Sequence, residues 1–106
     1  TLHYIENFAI SEIAEILGLD LVFLDELARE EIVSPDVEAA DPGAPGARYS
    51  ERMLERARIA HELVHELEVN LAGASVILRL REEMVVLRQS VRVLALEVER
   101  TRTRDA

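Results

Sequence analysis

The chain has no cysteine, no lysine and no tryptophan, and only two phenylalanines and two tyrosines among its 106 residues. Without cysteine there is no disulfide framework, no thiolate metal site and no thiol nucleophile, a pattern that fits a cytoplasmic protein. No apolar run approaches the ~20 residues needed to cross a bilayer, and no signal-peptide pattern opens the sequence. Glycine is scarce too: Gly18, Gly43, Gly46 and Gly73 are each isolated, so no glycine-rich phosphate loop exists. The most informative scarcity is local. The first 47 residues hold eleven carboxylates and one base, Arg29, whereas the rest sets eleven arginines against ten acids. The first 47 residues therefore carry a formal charge of −10 and the rest +1, which together give the −9 of the chain. A composition that is 49% hydrophobic and 31% charged otherwise describes an ordered chain.

Hydrophobic spacing predicts a mainly α protein, with an acidic head over residues 1–49 and a helical hairpin over 50–106 forming one compact domain. A head of this size buries only a thin core, so it is expected to lean on the later helices or on a second chain. Ile10–Gly18 reads as a short helix, with Ser11 as N-cap, Ile13, Ile16 and Leu17 as apolar face and Gly18 at C′. Asp20 is placed to cap a second helix carrying Leu21, Leu24, Leu27 and Ala28 at spacings of three and four. Ile32-Val33-Ser34-Pro35 suggests a brief strand, Asp36–Ala47 a loop, and Arg48-Tyr49 the returning strand of a β-wing. Two short helices and such a wing constitute a winged helix-turn-helix.

Ser50 is expected to cap a helix running to about Leu67, with Met53, Leu54, Ala57, Ala60, Val64 and Leu67 on one face. Asn70-Leu71-Ala72-Gly73 then predicts a break, followed by a long helix over about Ser75–Arg100. Within it Ile77, Leu80, Met84, Leu87, Val91, Leu94 and Val98 alternate as a coiled-coil-like heptad seam. Leu78, Val85, Val86 and Val93 form a second stripe on its flank, so packing on more than one element is expected. One stripe would meet the preceding helix and the other the partner in a homodimer. Glu83 favours a parallel pairing by meeting Arg88, whereas an antiparallel pairing centred near Arg88 would bring like charges together.

His61-Glu62-Leu63-Val64-His65 matches the H-E-x-x-H pattern, whose i, i+4 imidazoles can share a zinc ion beside a glutamate base. A catalytic site also needs a third protein ligand, for which Glu82 or Glu83 is the only nearby candidate. Leu63, Val64 and Leu67 are needed as core on the same helix, and the chain is small for a peptide cleft. The two histidines are therefore expected to be ordinary surface residues. Ser34, Ser75 and Ser90 have no base near them in sequence. No enzyme, metal or cofactor is expected.

DNA binding is the obvious alternative, because the second helix of a helix-turn-helix enters the major groove. Here that helix would present Asp25, Glu26, Glu30 and Glu31 with Arg29 alone in support. Carboxylates near phosphates subtract from the electrostatic affinity that DNA binding relies on. Nucleic acid is thus not expected as a ligand. Either the acidic face is merely solvated, or it meets a basic protein whose potential complements it.

The order of these pieces resembles the MerR-like family. The matching residues are Ile10-Ser11-Glu12-Ile13-Ala14, Leu17-Gly18, Ile32-Val33 with Pro35, Arg48-Tyr49-Ser50 and Asn70-Leu71-Ala72-Gly73, followed by the long apolar helix. Within it the chain is similar to the chaperone-modulator (CbpM-type) branch, through Phe8-Ala9-Ile10-Ser11-Glu12, Glu26-Leu27, Val33-Ser34-Pro35, Arg58, His65-Glu66-Leu67 and Gly73. The resemblance implies a MerR-like winged helix-turn-helix head with a long C-terminal helix. It also implies a partner, the J-domain of a DnaJ/CbpA-like co-chaperone that itself associates with DNA, whose stimulation of Hsp70 would be blocked. A cytoplasmic chain would then reach the nucleoid only through that partner. Candidate contacts are Glu12, Glu15, Asp20, Asp25, Glu26 and Glu30. Glu12 and Glu26 fall where that branch carries carboxylates, and the other four rest on charge. The Asp36–Ala47 loop departs most from the family pattern. A heat-shock-repressor type of MerR-like regulator shares the Asn70–Gly73 motif and the long helix, but its head should be rich in bases.

Overall fold

A computed structural model of the protein describes residues 7–36 and 46–105. The order of elements is β1 (Asn7–Phe8), α1 (Ile10–Leu17), α2 (Leu21–Arg29), β2 (Tyr49–Ser50), α3 (Glu51–His65) and α4 (Leu71–Asp105). The chain divides into two compact units, Thr1–Ser75 and Val76–Ala106. Among the described residues the protein is mainly helical, with one small antiparallel sheet and a long final helix, as the sequence predicts.

Helix α1 opens at Ala9, not at the predicted Ser11. Ala9 has no side-chain acceptor, but Glu12 Oε1 accepts from its backbone N–H at 2.9 Å, so half of a capping box suffices. Gly18 ends the helix at φ 66°, and the Leu19 N–H reaches back to the Ala14 carbonyl. Asp20 caps α2 as expected, accepting from Val22 N–H at 3.0 Å. The end of α2 is a Schellman motif without glycine. Ile32 N–H donates to Leu27 O and Glu31 N–H to Ala28 O, with Glu31 at φ 57°.

The predicted strand at Ile32–Pro35 does not form. Ile32 and Val33 are consumed by the Schellman turn and buried, so their N–H groups bond to Leu27 O and not to a strand. The strand that pairs with Tyr49–Ser50 is Asn7–Phe8, in antiparallel register with Phe8 opposite Tyr49. The chain before the loop touches this edge at Asp36, whose N–H donates to Arg48 O at 2.8 Å. Most of the predicted Asp36–Ala47 loop lies outside the described residues.

Ser50 Oγ accepts from Met53 N–H and starts α3, again as predicted. The helix ends at His65, two residues before the expected Leu67, which is exposed. Its buried face is Met53, Ala57, Ala60 and Leu63, while Leu54 and Val64, also expected in the core, are half-buried. The core of the first unit joins these to Ile13, Leu24, Leu27, Ile32, Val33 and Tyr49, all at most 1% exposed. Each such large apolar side chain contributes roughly 1.5–3 kcal/mol by leaving water. Arg56 fastens this core from outside, donating to Ile32 O at 2.6 Å.

The Asn70–Gly73 stretch is not a break inside two helices but the start of α4. Asn70 Oδ1 accepts from Gly73 N–H at 2.7 Å and acts as the cap. A Cβ on Gly73 would lie 2.9 Å from Val69 Cγ1 and 3.1 Å from Asn70 Oδ1, so glycine lets that cap close. Helix α4 therefore begins at Leu71 instead of Ser75, and it ends at Asp105 instead of Arg100. Its 35 residues span about 52 Å. In the second unit the predicted seam residues Ile77, Leu80, Met84, Leu87, Val91, Leu94 and Val98 are all exposed, Leu87 and Leu94 to 63%.

Candidate functional site

The six acidic candidates all belong to the helix-turn-helix, yet they are not equivalent. Glu12 sits in the first turn of α1, holding Ala9 N–H and pairing with Arg48 at 3.5 Å. Asp20 is the α2 cap, so one of its oxygens is committed to Val22 N–H. Asp25 pairs with Arg29 one turn later at 2.8 Å, with both side chains more than half exposed. Such an exposed pair contributes about 0.3–0.5 kcal/mol, so Asp25 and Arg29 both remain available to a partner. Glu15 and Glu26 are exposed on α1 and α2, and Glu30 is the C-cap residue of α2.

Helical geometry explains why these carboxylates face outward. The buried face of α2 is Phe23, Leu24, Leu27 and Ala28. The opposite strip is Val22, Asp25, Glu26 and Arg29 at spacings of three and four. Sequence reasoning counted Leu21 in the core, but it is 53% exposed, while Phe23, which it omitted, is buried. Phe23 stands four positions before Leu27, a spacing as good as that of Leu21, three before Leu24, so periodicity alone did not choose between them.

The described bases of this unit are occupied within the protein. Arg29 is held by Asp25. Arg48 Nε donates to Asn7 Oδ1 at 2.7 Å and Nη2 to Asn7 O at 3.1 Å, which ties β1 to the wing edge. Arg56 is bound to Ile32 O, and Arg52 is not without a partner either. Arg58 donates to both Glu55 and Glu62, at 2.5 and 2.7 Å. Its guanidinium is held above the ordinary arginine pKa, first by the Glu55 hydrogen bond and charge and then by Glu62. The surface around α1 and α2 is thus acidic, with Arg29 as the one described base on those two helices.

The H-E-x-x-H segment has a structural role that its sequence did not disclose. His61 and His65 lie side by side on α3 with ring centroids 4.4 Å apart. Both pack on Phe23 of α2, at 5.6 Å edge-on for His61 and 5.0 Å tilted for His65. His65 is exposed as expected, whereas His61 is half-buried. Glu62 points to Arg58, and among the described residues no three His, Cys, Asp or Glu side chains gather to hold a metal ion. Spacing alone could not reveal this packing, because Phe23 lies 38 positions before His61.

Among the described residues no helix is long and apolar enough to cross a membrane. No curated protein matches the chain in a sequence search. The family model described as MerR HTH family regulatory protein matches residues 8–95, which takes in every element from the second residue of β1 through most of α4. With a helix-turn-helix, a short wing strand pair and a long final helix over that span, the chain belongs to the MerR HTH regulatory family.

Proposed function

We propose that this chain is a non-catalytic chaperone modulator that binds the J-domain of a DnaJ/CbpA-like co-chaperone and competes with Hsp70 for it. The observation that carries this reading is the sign of the helix-turn-helix surface. Glu15, Asp25, Glu26 and Glu30 face outward on α1 and α2, against Arg29 as the one described base of those two helices, while Arg48 and Arg58 pair with glutamates within the chain. A J-domain presents a basic helix to Hsp70, so an acidic competitor surface matches it in potential and steers the encounter. The resemblance to the CbpM-type branch supports the same partner. The protein acts in the cytoplasm as a homodimer, paired through the exposed α4 seam of Ile77, Leu80, Met84, Leu87, Val91, Leu94 and Val98.

Titration calorimetry of the full chain with the J-domain of the same organism's DnaJ-like protein tests the reading. Binding is expected to weaken with added salt, and no binding at roughly tens of micromolar in low salt refutes it. Reversing Asp25 and Glu26 to arginine should cost at least tenfold in affinity without unfolding the head, because both are exposed. The second reading is a DNA-binding regulator, which a helix-turn-helix regulatory family also accommodates, and the heat-shock-repressor type is the branch that the sequence resemblance offers for it. A gel shift over the gene's own promoter separates the two: a salt-sensitive, sequence-dependent shift would establish the regulator.

A further inference from the structure

The exposed apolar side chains of the first unit are not scattered. Among its described residues four large ones are more than half exposed, and three of these, Ile16, Leu21 and Val22, flank the turn between α1 and α2. Val22 is the most exposed of the three at 65%. None is needed by the core, which α2 supplies from Phe23, Leu24, Leu27 and Ala28. Around them in sequence and on the same two helices stand Glu12, Glu15, Asp20, Asp25 and Glu26. An apolar centre with a charged rim is the anatomy of a protein interface.

We propose that Leu21 and Val22, with Ile16 across the turn, anchor the apolar side of a basic amphipathic helix whose flanks meet the surrounding carboxylates. The proposal deepens the reading that the acidic head meets a basic protein, and rests on it. It follows from what the start of a second helix does in a DNA-reading helix-turn-helix, where its side chains contact base edges. Phosphates, which supply most of the affinity for DNA, are met by cations and hydrogen-bond donors. Leu21 and Val22 offer neither, and Asp25 and Glu26 only accept. The same carboxylates exclude an anionic membrane surface. They leave a cationic occupant, and the aliphatic centre requires that occupant to carry an apolar stripe. Helix docking read at spacings of three, four and seven meets both conditions.

Two synthetic peptides of equal lysine and leucine content test this with the full chain. One places leucine at helical spacing so that it is amphipathic, and the other scrambles the order. Fluorescence anisotropy should give at least tenfold tighter binding of the amphipathic peptide. The double variant Leu21→Ser, Val22→Ser should lose that advantage, while its weak binding of the scrambled peptide stays as in the parent chain. Both side chains are exposed, so the variant's melting temperature should be unchanged. Asp25→Asn with Glu26→Gln should weaken both peptides. Equal binding of the two peptides, or an amphipathic peptide that binds the double variant as tightly, overturns the assignment. Preference of the same surface for duplex DNA over both peptides overturns it as well. Tight amphipathic-peptide binding without J-domain binding would refute only the J-domain as partner and leave the surface established.

Discussion

Replacing Glu31 with glycine should stabilise the head by about 0.5–1 kcal/mol, although it only deletes an exposed side chain. Glu31 occupies the left-handed position of the Schellman motif that ends α2, at φ 57°. That position is fixed by its surroundings, because Ile32 N–H must reach Leu27 O at 2.8 Å for Ile32 and Leu27 to be buried together. An L-residue in this conformation costs roughly 1–2 kcal/mol relative to glycine. Glycine returns part of that gain, about 0.5–1 kcal/mol, through its larger unfolded-state entropy. Loss of a carboxylate from the negative end of α2 adds roughly a few tenths of a kcal/mol. Glu31→Ala isolates that electrostatic part, since it keeps the Cβ and therefore the strain. Urea unfolding followed by tyrosine fluorescence is the assay, because Tyr49 is fully buried and the chain has no tryptophan. The glycine variant should unfold at higher urea, with a melting temperature about 3–6 °C above the parent, and the alanine variant should shift by less than a third of that. Equal shifts for the two variants, or a destabilised glycine variant, would refute the strain argument.

Three further outcomes follow from the same structure. Asn70→Ala removes the acceptor of Gly73 N–H and should destabilise the start of α4 by about 1 kcal/mol, read as faster amide exchange at Gly73 and Ala74. Phe23→Ala should cost about 3 kcal/mol in urea unfolding and release the His61 and His65 ring protons from their ring-current shifts; unchanged shifts would show that the aromatic packing does not persist in solution. On the proposed homodimer, Leu87→Asp in the middle of the α4 seam should convert a dimer to a monomer in sedimentation equilibrium, and an unchanged mass would place the interface elsewhere.

The helices were legible because their signals are local. Asp20 and Ser50 are good caps immediately before apolar periodicity, and both cap as expected. The misreadings came where a local signal was outweighed by a partner distant in sequence. Ile32 and Val33 look like a strand by composition, but the carbonyl of Leu27 and the core claim them first. The strand that does pair with Tyr49 lies at Asn7–Phe8, with Phe8 41 positions before its partner, and carries no alternation to announce it. Gly73 looked like a helix breaker, yet its small size admits the Asn70 cap that starts α4. The acidic candidates were visible as charge. Which of them is free was not, since the demands on Glu12 and Asp20 arise from backbone N–H groups that only folding exposes.

The fold and the charge of the head answer to different physics, which is why they can part company. The helix-turn-helix is held by Ile13, Leu24, Leu27, Ile32 and Tyr49, and none of these reaches solvent. Its outer strip of Val22, Asp25, Glu26 and Arg29 contributes almost nothing to that core, so it can change sign at little cost in stability. Binding is not so tolerant. Affinity for DNA is dominated by phosphate neutralisation, and every phosphate that a reader leaves unneutralised lowers both the affinity and its salt dependence. To reach a phosphate a head with two described arginines would have to draw Arg29 from its weak, exposed pair with Asp25, or break the Arg48 bridge to Asn7. Breaking the second would also free the edge that aligns β1 with β2. Arg48 therefore serves the shape of the wing and not its reach, and the same scaffold presents carboxylates and aliphatic side chains where a reader of DNA presents donors.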